Sequence, residues 1–358
     1  MCIVCLCVFY VWLCVRLICI EGRRTLFRQV VLVQSDDNKL DLNSNQNIMK
    51  GIDRVNVEAN LVTIVILCRE KCGLSKCVTT YMFAMATAGL LVLFFGVVVY
   101  GIFSYHFPHS FLLFSYVCKF ILFLNYSFLD MLVWFTVSFT FDRYVAICCQ
   151  GFKEKYCRKR NATVVLFGLC LLAFSKGFPM LFMFEPQEII NGVPLGCQAT
   201  ALTFTDPGWG VYRWIQNVSI FFLPFGSMLQ FNCLTVRCIF LANRARRGLR
   251  VQAGQNQTDP ELRNRRNSMV FLFSVSLSFM LLWLTAVVTY IISRLSSSQY
   301  KPDYSNPAYV ATEAGYLFIY LSCCSNSCIY TVTQKKFRDE LKMVLKSPLA
   351  FALQMVKE

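Results

Sequence analysis

Charge is scarce in this chain. Acidic and basic side chains make up 15% of the 358 residues, where a soluble globular chain carries roughly 25%. Histidine is nearly absent. The only two are His106 and His109, and no Cys/His spacing suits a zinc ion. There is no metal cluster, nucleophile elbow or phosphate loop, so enzymatic chemistry has no support and neither cofactor nor metal is expected. Internal repeats and low-complexity tracts are also missing.

What is abundant is apolar surface. Hydrophobic residues account for 56% of the chain, enough for about seven membrane spans of about 20 residues each and little else. The net charge of +15 does not point to nucleic acid, because the basic residues sit in short loops between apolar runs. Nineteen cysteines suggest a disulfide scaffold until they are placed. Cys68, Cys72, Cys77, Cys148, Cys149, Cys157, Cys170, Cys233, Cys238, Cys323, Cys324 and Cys328 fall in spans or in loops that read as cytosolic, where thiols stay reduced.

Six strong spans are readable, at about Thr79–Phe103, Leu113–Cys148, Ala162–Phe184, Trp214–Leu241, Ser268–Ile292 and Ala308–Val332. The loops between them sort by charge. One set carries Arg69, Lys71 and Lys76, then Lys153 to Arg160, then Arg244 to Arg266, then the tail from Lys335 to Lys346. The other set has little beyond Lys119, Arg213, Arg294 and Lys301. The positive-inside rule makes the first set cytoplasmic. Asp142-Arg143-Tyr144, at the end of the second strong span, therefore faces the cytosol.

The N-terminal region is less regular. Residues 1–20 are apolar apart from Arg16, Arg23 and Arg24 follow, and Gln34–Glu58 is a polar stretch. Val57–Cys68 is apolar for only about half a span. Three readings stand open: a short first helix shielded by its neighbours, an additional span or anchor in residues 1–20, or a misassigned protein start. The expected organisation is an N-terminal segment 1–47, a seven-transmembrane domain 48–334, and an amphipathic helix with a short tail, 335–358. Gln252–Asn264 reads as a loop. Lys335–Lys346 sets Phe337, Leu341, Val344 and Leu345 on one face and lysines on the other, which suits an interfacial helix on an anionic inner leaflet.

Cys118 lies about 37 Å outward of Arg143 along a helix. A helix with a thiol at one mouth and Asp-Arg-Tyr at the other resembles the third helix of rhodopsin-like G-protein-coupled receptors. The resemblance covers about Asn60–Leu345, with Asn60 matching the first helix's signature asparagine. Pro224 matches the fifth-helix proline and Phe279 with Trp283 the aromatic pair of the sixth. Asn326-Ser327-Cys328-Ile329-Tyr330 resembles the seventh-helix motif, with Ser327 in place of proline. The resemblance implies an all-α membrane protein, a seven-helix bundle with a short eighth helix. It implies a Cys118–Cys197 disulfide over the outer mouth. It also implies roles for Asp142, Arg143, Tyr144, Pro224, Phe279, Trp283, Asn326 and Tyr330 in activation and G-protein coupling.

Departures from the pattern are as informative. Gly89 stands where the family has the aspartate that anchors a sodium ion, and Leu132 where a serine often sits, so no sodium site is expected. Thr285, Asn232 and Leu169 replace a proline, a tyrosine and a tryptophan. Arg265 takes the place of an acid that pairs with Arg143 in relatives, which leaves Asp142 as the main restraint and predicts raised basal activity. These departures suit a divergent branch, of the type of an invertebrate peptide receptor.

Ionisable groups inside spans are costly and usually functional. Asp130 and Lys176 lie at similar depth and are expected to pair, with separate partners or a water-filled pocket as the alternative. Asn125, Tyr126, Gln216, Trp283, Tyr290, Glu313, Tyr316 and Tyr320 are the pocket candidates. Asn125 replaces the aspartate of amine receptors, so a biogenic amine is not expected. Glu188–Val193 places Asn-Gly between β-prone residues, a hairpin signal that resembles the outer loop of peptide receptors. None of the four sequons, at Asn125, Asn161, Asn217 and Asn256, is expected to be reliably glycosylated. The expected function is binding of an extracellular ligand, a peptide with a basic group, and signalling through a heterotrimeric G protein at the plasma membrane, with the N-terminus outside. A transporter or channel is the competing class, and a receptor fold that no longer signals is a third reading.

Overall fold

The computed structural model describes residues 56–69, 73–103, 111–190, 192–253, 260–295 and 307–346. Residues 1–55, and with them the expectations for the N-terminal segment, lie outside the described residues. So do His106 and His109.

The described residues are mostly helical, with four short strands in one loop. In order they form α1 (Asn56–Cys68), α2 (Lys76–Val92), α3 (Ser115–Cys148), α4 (Gln150–Tyr156), α5 (Lys159–Gly177), α6 (Leu202–Thr205), α7 (Pro207–Asn217), α8 (Leu223–Ala253), α9 (Pro260–Leu295), α10 (Pro307–Thr333) and α11 (Lys335–Lys346). The helix of α2 continues as a π-helix over Leu93–Phe103, and α7 joins α8 through a π turn at Val218–Phe222. Four of these stretches are long and apolar enough to cross a membrane: Lys76–Val99, Ser115–Cys148, Lys159–Phe182 and Pro207–Ala242.

Several boundaries differ from the sequence expectation. The polar stretch Gln252–Asn264 is not all loop: α8 runs to Ala253 and α9 begins at Pro260. Loss of hydrophobicity marks where a helix leaves the bilayer, not where it ends, and proline at the first helical position costs no hydrogen bond. The fourth span stops short of Phe184. It passes at Phe178 into a 3-10 turn containing Pro179, and Phe184 begins a strand. The fifth begins at Pro207, well before Trp214, because the Asp206 carboxylate accepts from the Trp209 N–H at 3.1 Å and caps α7.

The chain divides into two compact units, Leu74–Arg265 and the remainder. In Leu74–Arg265, α3 is central and packs on α2, α5 and α8. Its sequence contains neither glycine nor proline, so nothing interrupts the ladder. Its buried hydroxyls return to its own backbone: Ser127, Thr136 and Thr140 each donate to the carbonyl four residues back at 2.8 Å. That leaves none of these donors unsatisfied in hydrocarbon. Between α5 and α6 lie two small antiparallel pairs, β1 (Phe184–Glu185) with β4 (Gln198–Ala199) and β2 (Glu188–Ile190) with β3 (Val193–Leu195). Between β2 and β3, Gly192 sits at φ 78°, the left-handed region a tight hairpin turn requires.

The other unit explains how a polar first helix is held. Asn56 and Asn60 are fully buried. Asn56 donates to the Tyr320 carbonyl at 3.4 Å, and Asn60 Oδ1 accepts from Ser327 at 3.5 Å. The polar face of α1 is therefore turned to α10. A close approach is also built in: a Cβ on Gly315 would stand 3.0 Å from the Ala286 backbone. In α11, Phe337 is buried and meets the Tyr330 ring edge-on at 6.0 Å.

Candidate functional site

Asp142-Arg143-Tyr144 lies near the C-terminal end of α3. The Asp142 side chain is fully buried and the Arg143 side chain nearly so. Arg143 Nε donates to Asp142 Oδ2 at 3.1 Å, and Nη2 pairs with the same oxygen. The guanidinium also lies 5.7 Å from the centre of the Phe139 ring, a cation–π distance. Asp142 has further contacts that the sequence did not announce. Cys77 donates to its Oδ1 at 3.1 Å, and the Cys157 thiol approaches its backbone carbonyl at 3.8 Å. Burial, then the Asp142 charge, pushes the Cys157 thiol up to about 11. Tyr144 stacks on Phe231 of α8 at 6.1 Å. The side chain of Arg265, expected to repel Arg143, lies outside the described residues.

At the opposite end of α3, Cys118 is bonded to Cys197 with the Cα atoms 6.0 Å apart. The Ser115 hydroxyl donates to the Gly196 carbonyl at 2.7 Å, and Phe114 bridges Leu195 of β3. Three adjacent ties thus fix the hairpin loop to the start of α3. Among the described residues this is the one disulfide.

Between these ends, Asp130 and Lys176 are together. Lys176 Nζ donates to Asp130 Oδ1 at 2.5 Å and to Ser219 Oγ at 2.8 Å. Gln216 and Tyr212 both donate to the Lys176 carbonyl, at 3.1 and 2.8 Å. Of the pocket candidates in this unit, Gln216 belongs to that network. Asn125 is pressed against α2's π-helical extension, where a Cβ on Gly96 would stand 2.7 Å from its Oδ1. That oxygen is buried without a hydrogen bond among the described residues. Tyr126 is exposed.

In the other unit, Trp283 is fully buried, stacks on Phe279 at 4.9 Å, and donates from Nε1 to Ser322 at 2.9 Å. Asn326 and Tyr330 are buried, Tyr316 is exposed and Tyr320 half-buried. The side chains of Tyr290 and Glu313 lie outside the described residues. Pro224 stands at the second position of α8, just after the π turn. Gly89 and Leu132 are both buried, where the family pattern has polar side chains. No group of three or more His, Cys, Asp or Glu residues suited to a metal occurs among the described residues.

Sequence reasoning missed Cys77, Tyr212, Ser219 and Ser322. In the sequence Ser219 is only part of a sequon, and Cys77 only one thiol among many. The signal that could have found them is general: a hydroxyl or thiol that is buried in a span needs an acceptor.

Comparison with known proteins agrees with this arrangement. The family model described as 7 transmembrane receptor (rhodopsin family) matches residues 59–330. Purinoceptor 4 from Rattus norvegicus is 26% identical over 269 residues, covering 75% of this chain and 70% of the relative. The Mus musculus protein of the same name gives the same figures. Such proteins are receptors rather than enzymes, multi-pass in the plasma membrane, and answer extracellular ligands through G proteins. The chain belongs to the rhodopsin family of seven-transmembrane receptors, and its fold class is the all-α, seven-helix membrane bundle.

Proposed function

We propose that this receptor binds a peptide with a basic group in the outer half of the bundle and passes the signal to a heterotrimeric G protein at the Asp142-Arg143-Tyr144 end. The observation that carries the reading is the arrangement of α3. One end is tied by Cys118–Cys197 to a β-hairpin loop, and the other holds a buried, ion-paired Asp-Arg. A ligand acts by favouring one of two states of the bundle, and the basic loops give the cytosolic face electrostatic complementarity to a partner. Loop charge supports an extracellular N-terminus and a cytoplasmic C-terminus. Asn125, Tyr126, Gln216, Trp283, Tyr290, Glu313, Tyr316 and Tyr320 are the proposed ligand contacts. Asp142, Arg143, Tyr144, Pro224, Phe279, Trp283, Asn326 and Tyr330 are the proposed activation residues.

The peptide reading draws on the hairpin and on the acidic side chains that the outer loop carries, Glu185 and Glu188. A second reading has its own support: the relatives are purinoceptors by name, which favours a purine ligand. Cells expressing the receptor with a panel of G-protein activation sensors, challenged in parallel with a basic-peptide library and with purine nucleosides and nucleotides, separate the two. A saturable response confined to the peptide arm supports the first reading, and one confined to the purine arm replaces it with the second. Silence in both arms, with purified receptor that does not accelerate nucleotide exchange on any G protein, favours a receptor fold that no longer signals.

A further inference from the structure

The ion pair between α3 and α5 has hydrogen-bonding capacity that its surroundings leave unused. Lys176 Nζ carries three N–H donors. Two are spent, on Asp130 Oδ1 at 2.5 Å and on Ser219 Oγ at 2.8 Å. A carboxylate offers two oxygens as acceptors. Among the described residues the Asp130 side chain has Lys176 as its one partner, through Oδ1, so Oδ2 accepts nothing. One acceptor and one donor therefore stand unspent within a single ion pair.

The pair is held in place from the fifth span. Tyr212 and Gln216 donate to the Lys176 carbonyl at 2.8 and 3.1 Å, and Gln216 also reaches the Tyr212 hydroxyl at 2.6 Å. Lys176 is thus fixed at its backbone as well as at its ammonium. Yet the pair is not sealed by protein: the Lys176 side chain is 21% exposed and that of Asp130 7%. Unserved polar groups are costly inside a span. A fixed donor and acceptor that stay reachable there suit a group that arrives with the opposite pattern.

Charge decides which group fits. Asp130 and Lys176 together sum to zero. A guanidinium would serve Oδ2 but stand beside an ammonium. A carboxylate or phosphate would serve the ammonium but stand beside Asp130. Either leaves a net charge in a low-dielectric setting, which is expensive. A neutral amide brings an N–H donor and a carbonyl acceptor together and adds no charge. We propose that Asp130 and Lys176 form a subsite for a neutral carboxamide of the ligand, which donates its N–H to Asp130 Oδ2 and accepts at its carbonyl from the Lys176 ammonium. This deepens the peptide reading and rests on it for the identity of the ligand: this subsite takes an amide, such as an amidated C-terminus, and the peptide's basic group lies elsewhere.

The test uses the full-length receptor purified in lipid nanodiscs and three probes of one shape: benzamide, which is neutral, benzamidinium, a cation, and benzoate, an anion. Binding is read as the rise of melting temperature with probe concentration. The readout needs neither peptide nor G protein, so a receptor silent towards peptides in cells still answers it. A peptide response without the amide preference overturns this subsite alone. In the unmodified receptor benzamide is expected to bind at least about tenfold more tightly than either ion. Lys176→Met leaves a lone carboxylate and should put benzamidinium first. Asp130→Asn leaves a lone ammonium and should put benzoate first. Ser219→Leu keeps both charges and crowds the ammonium, so it should weaken benzamide by a similar factor, and it remains informative if the charge variants do not fold. No saturable shift with benzamide in the unmodified receptor, or no preference for it over the two ions, overturns the proposal. An unchanged order in a folded Lys176→Met or Asp130→Asn variant overturns it as well, because the probe then binds elsewhere.

Discussion

The Cys77 thiol donates to Oδ1 of Asp142 across 3.1 Å, while Oδ2 of the same carboxylate holds the Arg143 guanidinium. The carboxylate is fully buried, so α2 and α3 share its solvation. Arg143 is restrained through an acid that is itself restrained from another helix.

Cys77→Ala removes that second restraint. A hydrogen bond to a charged group is worth about 1.5–3 kcal/mol, so thermal stability should fall and basal nucleotide exchange on a responsive G protein should rise. Cys77→Ser keeps a donor and should restore both. Basal exchange in Cys77→Ala equal to that of the unmodified receptor would remove Cys77 from the switch.

Cys157 has a thiol raised to about 11 by burial and by the nearby Asp142 charge. A thiol's pKa raised above the ordinary value of about 8.5 leaves it protonated at neutral pH. Its thiolate fraction, and with it the rate of alkylation, should climb about tenfold per pH unit from pH 7 to pH 10 and level off only near the raised value. Iodoacetamide labelling read by mass spectrometry checks this. A rate that plateaus near pH 8.5 contradicts the buried setting.

Cys197→Ser opens the tie between the hairpin loop and α3, whose cysteines are 79 residues apart in sequence. Loss of a native disulfide typically costs about 2–5 kcal/mol. Surface expression should drop sharply, and Cys118→Ser with Cys197→Ser together should be no worse than either alone. An additive loss would mean that the two thiols act separately.

Arg69, with its side chain only 2% exposed, pairs with Glu340 of α11 at 3.4 Å. Breaking a buried pair by removing one partner is costly, at about 3–5 kcal/mol. Glu340→Gln should therefore destabilise the purified receptor more than Asp339→Asn, an exposed carboxylate beside it. Exchange of the two charges, Arg69→Glu with Glu340→Arg, should recover part of the loss. Equal melting of the two single variants would show that the pair contributes little.

Much of the fold is legible in the sequence because the bilayer imposes a simple rule. An apolar run without glycine or proline, such as Ser115–Cys148, has no alternative to a helix that satisfies its own backbone. Loop arginines and lysines then assign sides. The same rule misleads at the edges. Gln252–Asn264 is polar and reads as a loop, yet helix continues through Ala253 and restarts at Pro260, because water tolerates a helix as well as a loop. The polarity around α1 reads as a defect, yet Asn56 and Asn60 are buried against α10. Hydropathy counts a side chain without knowing which neighbour it faces.

What the sequence alone determined is the class of molecule: apolar runs, the sidedness of charge, and the order of motifs from Asn60 to Tyr330. Those properties follow from composition and from spacing along one chain. Only the tertiary structure decided the partners. Ser219, half of a sequon by sequence, receives the Lys176 ammonium. Cys77, one thiol of many, donates to Asp142. Both depend on distances between helices, which no periodicity along a single helix encodes. They matter because a buried charge in hydrocarbon takes whatever donor or counter-charge the packing brings within reach.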